Sequence, residues 1–479
     1  MSKHFISILG TSIYQPIRYG DEPNAYEFIQ ENLIKKYMLP LEDNDRITIF
    51  VTEDDKDKNG TILRGSRSKN YERADGSGLK RNLKELLNIA QNDESKLHVE
   101  SISIGKSTSD LWDNFSIIFN SLKKNEELYV DVTHGFRSLP MIMLSVVTYA
   151  QSVLNVHVKA ICYGAYEARQ ENEKGEVIAP VFDLLPFIDI IRWAQAANSF
   201  ARFGNSDEIK ALSDEIDEVN SPRDKIIEDL YAITHSLETS RGFCDLQRRN
   251  EFQTGQSVMA SVQKFNNNVQ SAHLDENNPI NRLICDVIKN RLDETFDTST
   301  DLKTGFGAIQ WAIDNHKTQQ GYTALQETII TYLCEQTTLI NSHQLDYTYF
   351  DDREIVRKAC IEIYNAREKL MVENAHNTHS ISEVDLRRMA KSNYDRKQTN
   401  KINSSHGDNR RKARQDKIIF DATLENINIG IALLFNKVKN SRNTINHFGY
   451  GLKRSDSPKS YLDLETDLNQ LFNEFKRLS

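Results

Sequence analysis

The run NSRNTINHFGY, at residues 440–450, places an arginine and a histidine five positions apart. On a helix, Arg442 and His447 would be turned from each other by roughly 140°, whereas Asn443 and His447, four residues apart, would share a face. The spacing therefore fits a helix end better than a helix interior. It also fits a site that a second copy of the chain completes.

This pair has the residue types needed to cleave an RNA phosphodiester. A helix C-terminus favours the protonated form of His447 and Arg442 opposes it, so the imidazole is expected to titrate near neutral pH beside a fixed cation. The 2′-OH of RNA can attack its own phosphate, which requires alignment, proton transfer and charge stabilisation but no metal. The competing interpretation is an ordinary helix end with a solvent-facing arginine and a capping histidine, because RxxxxH is frequent by chance.

Three predicted strands end in short runs of glycine, hydroxyl and basic residues. Ligands of a doubly wound sheet bind outside the carboxyl ends of its strands, where glycine lets the backbone approach and helix N-termini offer N–H groups to phosphate. The runs therefore predict an anion site, although each alone is more often an ordinary turn, and His134 could instead be a packed core histidine. Neither a dinucleotide fingerprint nor a P-loop is present. The residues concerned are Gly10, Thr11 and Ser12; Gly105, Lys106 and Ser107; and Thr133, His134, Gly135 and Arg137.

Two contrasting regions must position these residues. Residues 1–185 alternate β-branched runs (HFISILG, RITIFVT, LHVESISIG, ELYVDVT and VHVKAICYG) with segments of helical periodicity. This alternation predicts βαβ units and a mostly parallel, Rossmann-like sheet. Residues 186–479 show apolar residues at i, i+3 and i+4 over long stretches, which predicts an all-helical domain.

The helical region has one interruption and one strong final helix. Residues 372–417 are polar, basic and poor in core residues, which indicates a long insertion. The last helix is predicted over DATLENINIGIALLFNKVKNSRNTINH, with Asp421 as its N-cap and with Gly449 and Gly451 ending it.

Composition limits the classes of function. The chain has 479 residues and a formal net charge of −9, which argues against a protein that coats nucleic acid without specificity but allows a local basic site. No apolar run approaches the length of a membrane span, and the first residues lack the shape of a signal peptide. The five scattered cysteines form no CxxC pair, which indicates reduced thiols. We therefore expect a cytoplasmic protein, and we expect no metal site at the HxxH of His376 and His379.

The two ends of the chain together resemble the CRISPR-associated CARF–HEPN proteins, the Csx/Csm-type effectors of type III systems. The resemblance rests on DVTHGFRSLP in a Rossmann-like domain and RNTINH in a helical domain, with support from YGAYEA and FIDIIRWAQAANSFARFG. It implies a CARF domain at residues 1–185 that binds a cyclic oligoadenylate. It also implies a helical HEPN domain at residues 186–479 that dimerises and cleaves single-stranded RNA.

The resemblance also implies roles for particular residues. Arg442 and His447 match the catalytic pair, and Asn443 matches the polar residue that often follows the arginine. The runs after the first and fourth strands match two ligand loops, and the run at 105–107 matches more loosely. Cleavage is then expected to need no metal and to leave a 2′,3′-cyclic phosphate and a 5′-hydroxyl. A two-fold homodimer would enclose the symmetric activator, and no cofactor, membrane or DNA partner is expected.

Three hypotheses stay open from the sequence. The first is a ribonuclease switched on by cyclic oligoadenylate, with the tetra-adenylate favoured among the possible rings. The second is a non-catalytic regulator that binds the same ligand and whose helical domain only dimerises or contacts a partner. The third is a ring nuclease whose CARF pocket degrades its own activator. RNA sequence preference, assembly beyond a dimer and the role of residues 372–417 are not fixed by the sequence.

Overall fold

The computed structural model divides the chain into two compact units, Met1–Ile191 and Arg192–Ser479. The residues that the structure describes are 1–10, 15–53, 70–73, 75–89, 95–135, 138–215, 221–242, 257–275, 277–337, 345–346, 350–373, 380–404, 406–446 and 459–479.

The described part of the first unit contains ten strands and four complete helices, and a fifth helix contains the boundary between the units. The strands are β1 (Lys3–Leu9), β2 (Ile17–Tyr19), β3 (Ala25–Tyr26), β4 (Arg46–Glu53), β5 (Leu97–Ser103), β6 (Glu127–Asp131), β7 (His157–Gly164), β8 (Gln170–Glu171), β9 (Val177–Ala179) and β10 (Val181–Asp183). The helices are α1 (Ile29–Tyr37), α2 (Leu79–Leu87), α3 (Thr108–Ser121), α4 (Ser138–Leu154) and the boundary helix α5 (Leu185–Phe203), and Tyr166–Ala168 form a 3₁₀ turn.

Six of the strands form one sheet in the order β10-β7-β6-β1-β4-β5. Neighbours from β7 to β5 run parallel, and β10 adds an antiparallel edge. Each of the five apolar runs identified in the sequence forms one of the five parallel strands. The predicted parallel α/β fold of the N-terminal region is confirmed.

The central strand shows why these runs become strands. β1 is buried along nearly its whole length, and its side chains alternate between two cores. Phe5 and Leu9 belong to the cluster that includes α1 and α2, whereas Ile6 and Ile8 belong to the cluster that includes α3 and α4. Because both faces are covered by helices, the strand has no need of a polar face.

A second, small sheet has the order β3-β2-β9-β8. Its strands have only two or three residues each, which is too short for a period-two pattern to appear in the sequence. This sheet is therefore not apparent from the sequence.

The described part of the second unit is built from helices alone, as the sequence predicts. They are α6 (Asp207–Glu215), α7 (Pro222–Glu238), α8 (Val258–Ser271), α9 (Pro279–Arg282), α10 (Asn290–Thr295), α11 (Asp301–Asp314), α12 (Thr318–Gln336), α13 (Phe350–Glu373), α14 (Glu383–Ser404), α15 (Gly407–Asn426), α16 (Ile429–Asn446) and α17 (Tyr461–Leu478), and a π-helical stretch at Leu283–Lys289 joins α9 to α10. One core draws on α5 to α11, and another on α12 to α17.

Residues 372–417, interpreted from the sequence as a polar insertion poor in core residues, are largely helical. Most of the segment lies in α14 and in the first half of α15. Each of these helices buries a narrow stripe, and the rings of Tyr394 and Phe420 stack with their centroids 3.5 Å apart. Leu386 and Ala390 continue the stripe at intervals of four residues. A stripe this narrow leaves the segment polar overall, which explains why its helical character is hard to read from the sequence.

The last predicted helix is wrong as a single element. Ile427 has an extended backbone (φ −66°, ψ 140°) that ends α15, and α16 begins two residues later with an axis bent by 110°. The side-chain oxygen of Asn428 accepts a hydrogen bond from the N–H of Ile431 at 3.1 Å and so caps α16. Asp421, the predicted N-cap, lies inside α15 and pairs with Lys391 at 3.3 Å. Gly449 and Gly451 lie outside the described residues.

Candidate functional site

The first candidate site lies at the carboxyl edge of the six-stranded sheet. The chain runs from β1 to β4 and β5 on one side, then returns to β6 and β7 on the other side of β1. The carboxyl ends of β1 and β6 therefore flank the switch point, which is where ligands of such sheets bind. Gly10 follows β1 and Thr133–Gly135 follow β6, so the structure brings these predicted residues to neighbouring positions.

A buried carboxylate supports the backbone at this edge. Asp131, the last residue of β6, has no exposed surface, and its Oδ2 accepts hydrogen bonds from Ser7 Oγ (2.7 Å) and Gln30 Nε2 (3.2 Å). Its Oδ1 accepts from the N–H of Thr133 at 2.9 Å. The carboxylate thus ties β1, α1 and the loop after β6 together.

Thr133 and its neighbours hold the loop close to β7. Thr133 Oγ1 accepts a hydrogen bond from the N–H of Gly164 at 2.8 Å, so its hydroxyl is partly used within the protein. Gly135 has φ +114°, and a Cβ at that position would lie 3.3 Å from side-chain atoms of both Ile8 and Leu139. The loop therefore requires glycine both for its backbone conformation and for its close packing.

His134 is partly buried beside this network. Burial lowers its pKa, and the negative charges of Asp131 and Glu167 act in the opposite direction without reversing the shift. The imidazole is therefore neutral at neutral pH, which suits hydrogen bonding to a ligand better than charge pairing with it.

The third predicted run lies at the same edge but farther from the switch point. β5 is two strands from β1, a separation of about 10 Å at the usual strand spacing. Ser107 caps α3, because its hydroxyl accepts from the N–H of Asp110 at 3.2 Å while the Asp110 carboxylate accepts from the N–H of Ser107. Lys106 is exposed and its N–H binds the same carboxylate. Gly105 has φ +81°, so this run has a turn and capping role of its own.

Some ligand residues expected from the sequence lie outside the described residues, and some contributors were missed. Thr11, Ser12 and Arg137 are in the first group. Asp131, Ser7 and Gln30 are in the second, together with Asn70, whose side chain donates to the carbonyl of Gly10 at 2.9 Å. The available signal was an aspartate ending a buried apolar strand just before the Thr-His-Gly run.

The second candidate site lies at the end of α16. Arg442 is half-buried just before the last turn of that helix, and its Nε donates to Thr323 Oγ1 at 3.2 Å. Its Nη1 lies 3.5 Å from Gln326 Oε1. Within the described part of the chain, Arg442 has no carboxylate partner. The guanidinium is thus oriented by neutral acceptors, and no described carboxylate neutralises its charge, so the group can bind an anion.

Of the two other residues of the predicted catalytic set, Asn443 is among the described residues and His447 is not. Asn443 is half-buried and makes no side-chain hydrogen bond to another described residue. His447 lies outside the described residues, so its distance to Arg442 stays a prediction. Asn446, just before it, accepts from Gln319 Nε2 at 3.3 Å, which places the end of α16 along the first turns of α12.

The helix that carries Arg442 is fixed from two sides. Asn436 is buried and donates to the carbonyl of Cys360 on α13 at 2.8 Å. Ser441 donates to Asp467 on α17 at 3.1 Å, and the same carboxylate accepts from Tyr322 (2.8 Å) and from Lys459 (2.9 Å). Burial raises the pKa of Asp467, but the hydrogen bonds from Lys459 and Tyr322 outweigh burial and lower it. The carboxylate therefore holds its charge and its donors at neutral pH.

A cavity of about 310 Å³ lies next to this site, within the second unit. Thr323, the partner of Arg442, forms part of its wall, and Leu237, Val258 and Trp311 supply apolar surface. The cavity is large enough for a group the size of a nucleobase.

Two further properties of the described residues bear on function. No group of three or more His, Cys, Asp or Glu side chains in this part of the chain is placed to hold a metal ion. Among the described helices, none alone is long and apolar enough to cross a membrane. α15 and α16 reach that length and apolar content only when taken together, and they are bent by 110°.

The first unit is an α/β domain with a parallel sheet and a candidate site at its switch point, and the comparison with known families says which kind of α/β domain it resembles. Residues 4–167 match the family model described as the CARF domain of the CRISPR system endoribonuclease Csx1. Residues 4–167 therefore form a CARF domain, as the resemblance implied.

A curated relative adds to this match. The chain is 26% identical over 237 residues to CRISPR-associated protein MJ1674 of Methanocaldococcus jannaschii. The aligned segment covers 49% of this chain and 33% of the relative, so it spans about a third of that protein's length.

Proposed function

We propose that this protein is a single-stranded RNA endoribonuclease that a cyclic oligoadenylate switches on. The match of residues 4–167 to the CARF domain of the CRISPR endoribonuclease Csx1 carries the proposal. The second unit supports it, because its helices present an arginine without a carboxylate partner among the described residues, five positions before a histidine.

In this proposal the sheet edge is the activator site. The backbone at Gly10 and at Thr133–Gly135 lies at the switch point, where N–H groups and glycines allow close approach of phosphates. Thr11, Ser12 and Arg137 follow the same strands and add donors and a positive charge. Lys106 and Ser107 would contact an outer part of a large ligand. The expected activator is the cyclic tetra-adenylate, bound across the two-fold axis of a homodimer.

The end of α16 is the proposed cleavage site. The 2′-OH of the substrate attacks the adjacent phosphorus, the bond to the 5′-oxygen breaks, and the products are a 2′,3′-cyclic phosphate and a 5′-hydroxyl. Arg442 stabilises the charge that develops on the phosphoryl oxygens, and His447 transfers the proton. Asn443 orients the phosphate. Two copies of the motif, one from each protomer of a HEPN-type dimer, would form one composite site that needs no metal.

The first experiment is a cleavage assay in EDTA. The purified protein is mixed with a fluorescent single-stranded RNA and, separately, with cyclic tri-, tetra- or hexa-adenylate. We expect cleavage with one ring, and loss of cleavage in Arg442→Ala and in His447→Ala. The matched control is Lys437→Ala, which removes a positive charge from the same helix at an exposed position paired with Glu474.

The outcomes separate the hypotheses. Silence with all three rings despite tight ligand binding would favour the non-catalytic regulator. Full cleavage by Arg442→Ala would move the catalytic site elsewhere. Disappearance of the ring in the Arg442→Ala protein would support the ring nuclease, since that variant should bind the activator normally.

A further inference from the structure

The helices α14 and α15 concentrate positive charge in a chain that is negative overall. From residue 383 to residue 426 there are eleven Lys and Arg residues and seven Asp and Glu residues, whereas the whole chain has a net charge of −9. The local excess therefore opposes the charge of the remaining chain.

Most described cations in this region are already neutralised by a partner. Lys412 pairs with Asp351 at 2.8 Å, Lys417 with Asp395 at 2.6 Å, and Lys397 with Glu362 at 2.6 Å. These pairs join α15 and α14 to their neighbours, so their charges are explained by folding.

Three arginines in the first turns of α15 differ. Arg410, Arg411 and Arg414 are exposed and form no ion pair or hydrogen bond with any residue that the structure describes. We call them the arginine stripe. Arg414 is four residues after Arg410 and three after Arg411, so the three side chains share one face. That face is turned by roughly 120° from the buried Ala413 and Phe420, which fix the helix in its core.

The arginine stripe does not help the protein to fold. The helix dipole does not favour these arginines, because cations are favoured near the C-terminus of a helix and the three lie in its N-terminal half. Like charges at spacings of three and four also repel. An exposed cluster of like charges that repel one another is better explained by a bound polyanion than by stability.

The stripe and Arg442 lie in one unit, on two helices joined by two residues. Arg442 lies 14 residues after Asn428, and the stripe lies 13 to 17 residues before Ile427, which is about 20–26 Å along each helix at the rise of 1.5 Å per residue. With the axes bent by 110°, the two arms enclose roughly 70°, which places the stripe on the order of 24 Å from Arg442. A single strand of several nucleotides covers this distance.

We propose that the arginine stripe binds the phosphate backbone of the RNA substrate several nucleotides from the scissile bond. This inference rests on the proposed ribonuclease function. Guanidinium groups match phosphate oxygens in a bidentate way, and three on one face suit a run of successive phosphates. The distance to Arg442 adds a requirement on substrate length that an anionic membrane or an acidic protein would not impose.

The test compares long and short RNA. Arg410, Arg411 and Arg414 are each replaced by Gln in one variant, and activated cleavage is measured on a 30-nucleotide and on a 4-nucleotide RNA. Because each lost phosphate contact reduces the salt slope for a single strand by about 0.7, we expect kcat/KM for the long RNA to fall about 10- to 100-fold and its salt slope to fall by about 2. The short RNA, which cannot reach the stripe, should change less than twofold.

A matched control removes the same charge elsewhere. The control variant combines Arg223→Gln, Lys225→Gln and Arg282→Gln. These residues lie on α7 and α9, whose apolar residues belong to the other core of the unit. This variant should cleave both RNAs as the unaltered protein does. Thermal unfolding of the stripe variant should occur at the same temperature or slightly higher, since the substitution relieves repulsion.

Each outcome decides the proposal. Unchanged cleavage of the long RNA, or an equal loss on both RNAs, would overturn the stripe and leave the ribonuclease function standing. Cleavage by neither protein with any activator would reject the proposed function. Fluorescence anisotropy of the labelled RNA would then test the stripe alone. Equal affinities of the stripe variant and the unaltered protein for this RNA would overturn it. Loss of binding to vesicles containing phosphatidylserine, with RNA cleavage unchanged, would overturn it in favour of a lipid surface.

Discussion

The two candidate sites are built in opposite ways. At the sheet edge, polar side chains such as Asp131 are buried and hydrogen-bond to the protein itself. The surface that this candidate site offers is therefore formed mainly by backbone atoms. At the end of α16, Arg442 is half-buried, its two hydrogen bonds are long, and its charge is unpaired among the described residues. A residue at the first site therefore serves folding and binding together, whereas a residue at the second can be devoted to chemistry.

The largest expected effect is on catalysis. Arg442→Ala should lower activated RNA cleavage by about 10²- to 10³-fold, the cost of removing one group that stabilises developing charge. The free energy of unfolding should change by less than about 1 kcal/mol, because the hydrogen bonds of Arg442 to Thr323 and Gln326 are long and partly exposed. Urea unfolding and the cleavage rate, measured on the same preparation, check both parts. A large loss of stability would break the contrast between the sites.

The converse is expected at Asp131. Asp131→Ala leaves Ser7, Gln30 and the N–H of Thr133 without their buried acceptor, so the free energy of unfolding should fall by about 3 kcal/mol. Ligand affinity should fall as well, because the loop after β6 loses its anchor. Urea unfolding of the purified variant, with Asp113→Ala on the exposed face of α3 as the control, measures the effect. A change below about 1 kcal/mol would mean that the network does not hold the loop.

The close packing of the sheet edge gives a third test. A Cβ at Gly164 would lie 1.9 Å from Cδ1 of the buried Ile29, so Gly164→Ala should cost about 1–3 kcal/mol of stability. Ile29→Val removes that methyl group and should recover much of the loss in the double variant. Additive effects in the double-mutant cycle would show that the two residues do not clash.

A smaller effect is expected at Thr133. Thr133→Val keeps the shape but removes the acceptor for the N–H of Gly164, which should cost about 1 kcal/mol. Thr133→Ser retains the hydroxyl and serves as the control. If Val and Ser behave alike in thermal unfolding, the hydroxyl has no structural role and is free for the ligand.

An effect of similar size concerns pH and a residue at the opposite end of β1 from the sheet-edge site. His4 is buried at the start of β1, between Glu126 Oε1 (3.0 Å) and Thr48 Oγ1 (2.8 Å), and burial lowers its pKa. The unfolded chain, with a histidine pKa near 6.5, then binds the proton first. Stability should therefore fall by about 1 kcal/mol as the pH drops from about 7.5 to about 5.5. His4→Gln should flatten this slope, and His98 and His134, whose pKa values are also lowered by burial, should supply what remains. An unchanged slope would contradict the assignment to His4.

The sequence predicts the parallel sheet well, because each buried strand is a separate apolar run. It also predicts which loops meet at one edge, because parallel strands end there; that a ligand binds at this edge stays a prediction. It does not predict the network around Asp131, because Gln30 and Asp131 are about a hundred residues apart and meet only through the sheet. It also misses the break before α16. Ile427 keeps the helical spacing of apolar residues although its own backbone is extended, so the sequence pattern runs on past the end of α15. Only Asn428, which caps the next helix, marks a new start.

The bend at Ile427–Asn428 would let the proposed ribonuclease select its cleavage position by distance along the RNA. The lengths of the two helices and the 110° bend between them set one separation between the arginine stripe and the end of α16. An RNA bound at both places would be cut at a set distance from its anchored part. Fragments shorter than that distance would lose the anchor and be cut more slowly. Digestion would therefore slow at oligonucleotides of a characteristic length, and lengthening either helix by one turn would shift that length.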